Sequence, residues 1–222
     1  MKKGTILASI LGIFLLLCGF ALYENSNEEY AFDINDLYDY HKEFDSEEIE
    51  VCASNGTKTY MDYRMTTVRS SAQYKFLRNE CTVDDVTGFL YDKDGFIAVA
   101  LGSFYGTIGD RFYFTLDSGV VLPLVKGEEK ADVDTDSRGC YHTIDDSIIE
   151  FVIDEDIASI FFWSNDNGLP LNGNYNNYPL LAGEIVKVEK VLDTRRKGYF
   201  SLHRTNDFYP DIFNIFSYGI GY

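Results

Sequence analysis

The stretch Gly183-Glu184-Ile185-Val186-Lys187-Val188-Glu189-Lys190-Val191-Leu192 alternates apolar and polar residues with period two. Successive side chains on a strand point to opposite faces, so the pattern predicts a strand with one buried and one wet face. Upstream the same kind of signal recurs every ten or so residues. Val86 to Tyr91 is followed by the turn Asp92-Lys93-Asp94-Gly95 and then by Phe96-Ile97-Ala98-Val99-Ala100-Leu101. Gly109 to Leu116 leads through Asp117-Ser118-Gly119 to Val120–Val125, and Ser147–Ile153 and Ala158–Trp163 add two further apolar runs. Short strands broken by Gly and Asp turns predict a small barrel or sandwich. Asn55-Gly56 between Glu50–Ser54 and Lys58–Arg64 reads as a hairpin. One helix stands out, Ser70–Leu77, with a serine cap ahead of good helix formers.

The two ends of the chain differ from this middle. Lys2-Lys3 precede an uncharged run from Gly4 to Tyr23, the pattern of a secretory signal or signal anchor. Its length is close to the roughly 20 residues of a spanning helix, and the positive-inside rule places the long acidic domain outside the cell. Small residues at Gly19 and Ala21 offer a cleavage site, and Leu15-Leu16-Leu17-Cys18 resembles a lipoprotein box with Leu17 where a small residue belongs. Anchor, cleaved signal and lipoprotein stay open as alternatives.

All 36 acidic residues, but all except two of the 19 basic ones, lie beyond that run. So acidic a domain excludes nucleic acid as a main partner and opposes docking on anionic lipid. Residues 24–50 carry eleven acids against the single Lys42 and read by default as a solvated spacer, with a short helix starting near Asp33 and aromatics that suggest part of it docks. Residues 164–180 read as a surface loop and 194–222 as an aromatic tail or extra hairpin. Outside the anchor stand Cys52, Cys81 and Cys140. An odd number makes no closed disulfide framework; one bridge, with Cys52–Cys81 the shortest, or three thiols are both open.

Two segments together carry a family likeness. The first is Ala98-Val99-Ala100-Leu101-Gly102-Ser103 followed by Ile108-Gly109-Asp110-Arg111-Phe112-Tyr113-Phe114. The second is Asp134-Thr135-Asp136, leading through Gly139 to Ile148-Ile149-Glu150-Phe151-Val152-Ile153. Over roughly residues 57–155 the chain resembles double-psi β-barrel domains of the three-aspartate type. These occur in secreted bacterial wall proteins and in one class of membrane-bound lytic transglycosylases, with RlpA-like proteins and expansins as distant relatives. The chain departs from the family pattern at Leu101 in place of Asp, Asp136 in place of Gly, and Glu150 in place of the third Asp. Around Tyr60–Arg64 and Gln73–Lys75 it also resembles exported proteins of Gram-positive bacteria, which adds no activity.

The resemblance implies a mainly β fold: a small six-stranded double-psi-like barrel over residues 51–193, with one or two short helices, behind the N-terminal signal or transmembrane helix. It also implies that Asp134 is the catalytic acid, with Glu150 shaping the site and Asp132 an outside candidate. The chemistry is coherent on its own terms. Glycosidic cleavage needs an acid that still holds its proton at working pH, and clustered carboxylates raise one another's pKa. A solvated acidic loop is the plain alternative for 132–136. Ser137 at the sixth position and Thr143 at the twelfth speak against an EF-hand starting at Asp132; a weaker oxygen-ligand site stays open as an alternative, and no cofactor or metal set is expected. Cys140 and His142 read as a buried cysteine and a loop histidine; Tyr105, Tyr141 and Trp163 are candidate sugar-stacking rings. The expected function is that of an extracytoplasmic envelope protein binding or cleaving peptidoglycan or a related glycan. The alternative is a non-catalytic, membrane-tethered interaction module meeting a basic protein partner.

Overall fold

The computed structural model describes residues 32–53, 56–164 and 174–196, the side chains of 163–164 and 193–196 excepted. The apolar segment 4–23 with Cys18, the first part of the acidic stretch, Asn55, loop residues 165–173, the Trp163 side chain and the tail beyond 196 lie outside that description. Among the described residues no helix is long and apolar enough to cross a membrane.

The fold is mainly β. Nine strands form one mixed sheet: β1 Phe44–Ile49, β2 Thr59–Asp62, β3 Cys81–Val83, β4 Leu90–Asp92, β5 Ile97–Leu101, β6 Arg111–Leu116, β7 Val121–Glu129, β8 Glu150–Ile153 and β9 Ile185–Arg196. Their pairing runs β1-β9-β6-β7-β5-β4-β3, with β8 added to β5 and β2 to β8. The path has two ends and does not close among the described residues, so the six-stranded barrel expected from sequence is replaced by a larger, open ladder. All pairs are antiparallel except β5–β7 and β2–β8. The fully buried β5 is the hub. One edge follows β7, while the other is shared by β4 at Ile97 and by β8 at Val99 and Ala100.

Local chemistry explains most elements. Helix α1, Ala72–Asn79, starts where the Ser71 side chain accepts the Tyr74 N–H. Asp92 builds the turn to β5 by accepting from the N–H groups of Asp94 and Phe96, while Gly95 takes the left-handed conformation at φ 80°. The same carboxylate holds the buried Arg111 at 2.6 Å, beneath the Phe96 ring.

Four expectations are corrected. Ala158–Trp163 is not a strand but part of helix α2, Glu155–Ser164, because Asp154 accepts from the N–H groups of Asp156 and Ile157 and starts the turn. The segments flanking Asn55-Gly56 do not form a hairpin; Thr59–Asp62 instead runs parallel to β8. Residues from Phe32 onward are no free spacer. The short helix expected near Asp33 is present as a 3-10 helix at Ile34–Asp39, capped by Asp33; it buries Ile34 and Leu37, and β1 pairs with β9. Finally, β9 does not keep one face wet. Its register against β6 shifts between Thr115 and Leu116, so Val186 turns outward while Glu189 is buried beside Lys42.

Two groups of side chains fill the interior. Phe44, Leu77, Leu90, Phe96, Ala98, Tyr113, Val125 and Val152 pack together under α1. On the other side Phe89 meets the rings of Phe151, Phe162 and Tyr175 at centroid distances of 5.0, 5.7 and 5.6 Å.

Cys81 is a free thiol at the margin of the first group. Burial, helped by the Asp92 and Glu80 charges, pushes its pKa up from 9.0 to about 12. Between those values the folded chain keeps a proton that the unfolded chain has released. The stability present below pH 9 is therefore lost as pH rises. By pH 10 the loss is about 1 kcal/mol. Urea midpoints at pH 8 and pH 10 are expected to fall further for the wild type than for Cys81→Ala; equal falls would contradict the burial of this thiol.

Candidate functional site

The loop from Lys130 to Ile149 joins β7 to β8 and is fastened at several points. The Lys130 N–H donates to the Leu101 carbonyl at the end of β5. Asp132–Asp134 form one 3-10 turn, and Thr135 bridges to His142. The Asp136 carboxylate accepts from the N–H groups of Cys140 and Tyr141; despite the cost of burial these bonds, with Arg138, hold its pKa below the usual carboxylate range. Gly102 and Gly139 let the loop lie against the end of β5. A Cβ on Gly102 would stand 1.9 Å from the Gly139 carbonyl oxygen, and the Phe104 N–H donates to that same oxygen at 3.2 Å.

A disulfide joins Cys52 to Cys140 across a separation of 88 residues, with the Cα atoms 5.9 Å apart. This decides the pairing that the sequence left open, and Cys52–Cys81 is not formed. It also removes Cys140 from any thiol or metal chemistry with His142.

Beyond the disulfide the loop folds beside the start of β8 and borders a half-open cavity of about 370 Å³, lined by the polar residues Thr59, Tyr60, Lys130, His142, Asp145, Ser147 and Glu150. Ser147 is the pivot. Its N–H donates to Asp145 Oδ1 at 3.0 Å and its carbonyl accepts the His142 N–H at 2.9 Å, with Asp146 turning the chain at φ 56°. Lys130 Nζ donates to the Ser147 carbonyl and to Ser147 Oγ, both at 3.0 Å. His142 Nδ1 lies 3.2 Å from Asp145 Oδ1.

The charges in the cavity are unequal. Burial pushes the Glu150 carboxyl above its ordinary range, against the pull of Lys130 and His142 and with Asp145 and Glu128 adding to the rise. Burial likewise pushes Lys130 down, with Glu150 and Asp145 restoring part of its charge. Asp145 goes the other way: burial opposes its charge, but the N–H and hydroxyl of Ser147, with His142 and Lys130, hold it ionised to lower pH. Two carboxyls in one cavity are thus pushed apart in pKa, the arrangement that separates an acid from a base.

Of the residues expected from sequence, Glu150 lines the cavity. Asp132 and Asp134 are exposed on the 3-10 turn and do not line it. The turn begins two residues after the cavity residue Lys130, and the Asp134 carbonyl accepts the Thr143 N–H beside His142. Among the described residues no three His, Cys, Asp or Glu side chains converge as a metal set. Tyr105 is core, packed on Phe112 and Phe114, and cannot stack on a sugar; Tyr60 is the aromatic that lines the cavity. Lys130, Asp145 and Ser147 carry no motif. His142 drew notice for the wrong neighbour, since its partner is three residues ahead rather than two behind. Compared with protein-family models, curated proteins and solved structures, the chain matches none of them.

Proposed function

We propose that this is an extracytoplasmic envelope protein whose Lys130–Glu150 cavity binds and cleaves peptidoglycan or a related glycan. Glu150 serves as the proton-bearing acid, and the adjoining turn supplies Asp134 and Asp132 toward the polymer. The observation that carries this reading is the Glu150 carboxyl, held above its ordinary range by burial in a polar cavity beside Tyr60. A carboxyl of that kind is what glycosidic cleavage requires. Export is supported by the Cys52–Cys140 disulfide, since such bonds persist in oxidising compartments. Kinship with the double-psi domains is supported by the contact between the two resembling segments at Gly102 and Gly139, and by the β5–β8 pairing.

The test is muropeptide release and turbidity loss from purified wall. Release by the wild type is expected to fall by at least about 100-fold in Glu150→Gln. It should decline as pH rises through the Glu150 pKa, because the acid must carry its proton. Asp134→Asn is expected to lose less. No release by the wild type would end the catalytic reading, and failure to sediment with intact wall would end the binding one.

A second reading, a tethered interaction module without catalysis, is favoured by the 90% exposure of Val133 and the 86% exposure of Ile144 on this acidic loop. Apolar tips ringed by carboxylates suit a protein partner with a basic surface.

A further inference from the structure

The pair that fixes the cavity wall has a chemistry of its own, separate from any role of Glu150. We propose that Ser147 and Lys130 form a nucleophile–base pair that hydrolyses esters of short acyl chains carried on polar, hydroxyl-rich alcohols. Lys130 Nζ and Ser147 Oγ stand 3.0 Å apart, both residues line the cavity, and they are only 6% and 1% exposed. That is hydrogen-bond reach between a serine and a base, and lysine fills the base position in two-residue serine centres.

Further observations favour this use. Lys130 donates to the carbonyl and hydroxyl of Ser147 and to no carboxylate, so its ammonium is not locked in an ion pair among the described residues. Burial pushes it toward the neutral amine, whose lone pair would take the hydroxyl proton that Ser147 otherwise offers to Asp145. The serine backbone is held from both sides by Asp145 and His142, which fixes where Oγ points. Thr59 Oγ1, 3.5 Å from Ser147 Oγ, is a hydroxyl donor beside the reacting atom. The volume is near the small end of ligand pockets, which limits the acyl group, and the polar lining suits the alcohol.

The step balances with water as co-reactant. Ser147 Oγ bonds to the ester carbonyl carbon as its proton passes to Lys130 Nζ, and the carbonyl π pair moves onto oxygen. That pair returns as the C–O bond to the alcohol breaks, and the leaving oxygen takes the proton from Lys130. Water then attacks the acyl-serine, giving its proton to Lys130. Collapse expels Ser147 Oγ, which recovers the proton, and a carboxylic acid leaves.

The experiment treats the full-length protein with a biotinylated fluorophosphonate, maps the labelled peptide by mass spectrometry, and follows p-nitrophenyl acetate hydrolysis against pH. Label is expected on Ser147, with a rate that rises with pH as Lys130 loses its proton. Ser147→Ala is expected to lose the label and at least about 100-fold in rate. Lys130→Arg keeps the charge and the donors but takes up no proton, and it is expected to lose both with an unchanged circular dichroism spectrum. Absence of label on wild-type Ser147, or labelling of Lys130→Arg at the wild-type rate, overturns the proposal even if Ser147→Ala does not fold.

Discussion

Phe89→Ala is expected to destabilise the protein by about 3–5 kcal/mol, the cost of a large ring removed from a core that cannot close over the gap. Phe89 is fully buried and touches rings from four separate parts of the chain: Phe32 before β1, Phe151 in β8, Phe162 in α2 and Tyr175 beyond it. Tyr175 is itself fully buried with an unpartnered hydroxyl, so a shift toward the gap gains it no hydrogen bond. Urea unfolding measures the effect through the midpoint at constant slope. A loss below about 1 kcal/mol would mean that the rings are loosely packed. Because β8 carries both Phe151 and Glu150, the variant is also expected to weaken whatever the cavity binds.

The second large effect concerns the Cys52–Cys140 bond. It closes a long loop, and in the chain-entropy description such a bond restricts the unfolded chain by about 4–5 kcal/mol. Cys52→Ala/Cys140→Ala, or wild type in excess reductant, is expected to lose most of that. The loss has a local side too. Cys140 sits fully buried between Gly139, pressed on Gly102, and the His142–Ser147 turn, so the untied chain opens first around the cavity. Hydrogen exchange at residues 136–147 is expected to speed up before the strands β6 and β9 respond. Unfolding midpoints that ignore reductant would show that the bond contributes nothing.

The residues explain why some of this was legible from sequence and some was not. β4 to β7 follow from apolar runs separated by turn residues whose conformations are locally set, such as Gly95 and Gly119, both at positive φ. α1 was legible because Ser71 caps it. α2 was not: Ala158 to Trp163 is apolar but for Ser159, and so short a run has no period to distinguish a helix from a strand. Only the Asp154 cap decides it. The disulfide is tertiary by nature, since the loop brings Cys140 past Cys81 to Cys52. Glu150 was reached through a resemblance. Its companions were not, because Lys130 and Ser147 lie 17 residues apart and meet only once the intervening loop is pinned at Gly102 and Cys140.

The place of β1 at one end of the sheet bears on how copies of this protein behave toward each other. Among the described residues β1 pairs with β9 on one side and has no strand partner on the other, the position from which a sheet can recruit another chain. That edge is flanked by the exposed Asp45, Glu47 and Glu48, and the opposite end, β3, is only three residues long. Two approaching copies would align like charges before any ladder formed. The guard is electrostatic, so it weakens as salt shortens the screening length to about 10 Å at 0.1 M. Pairing of two copies through this strand is therefore governed by salt, and not by how firmly the core is packed.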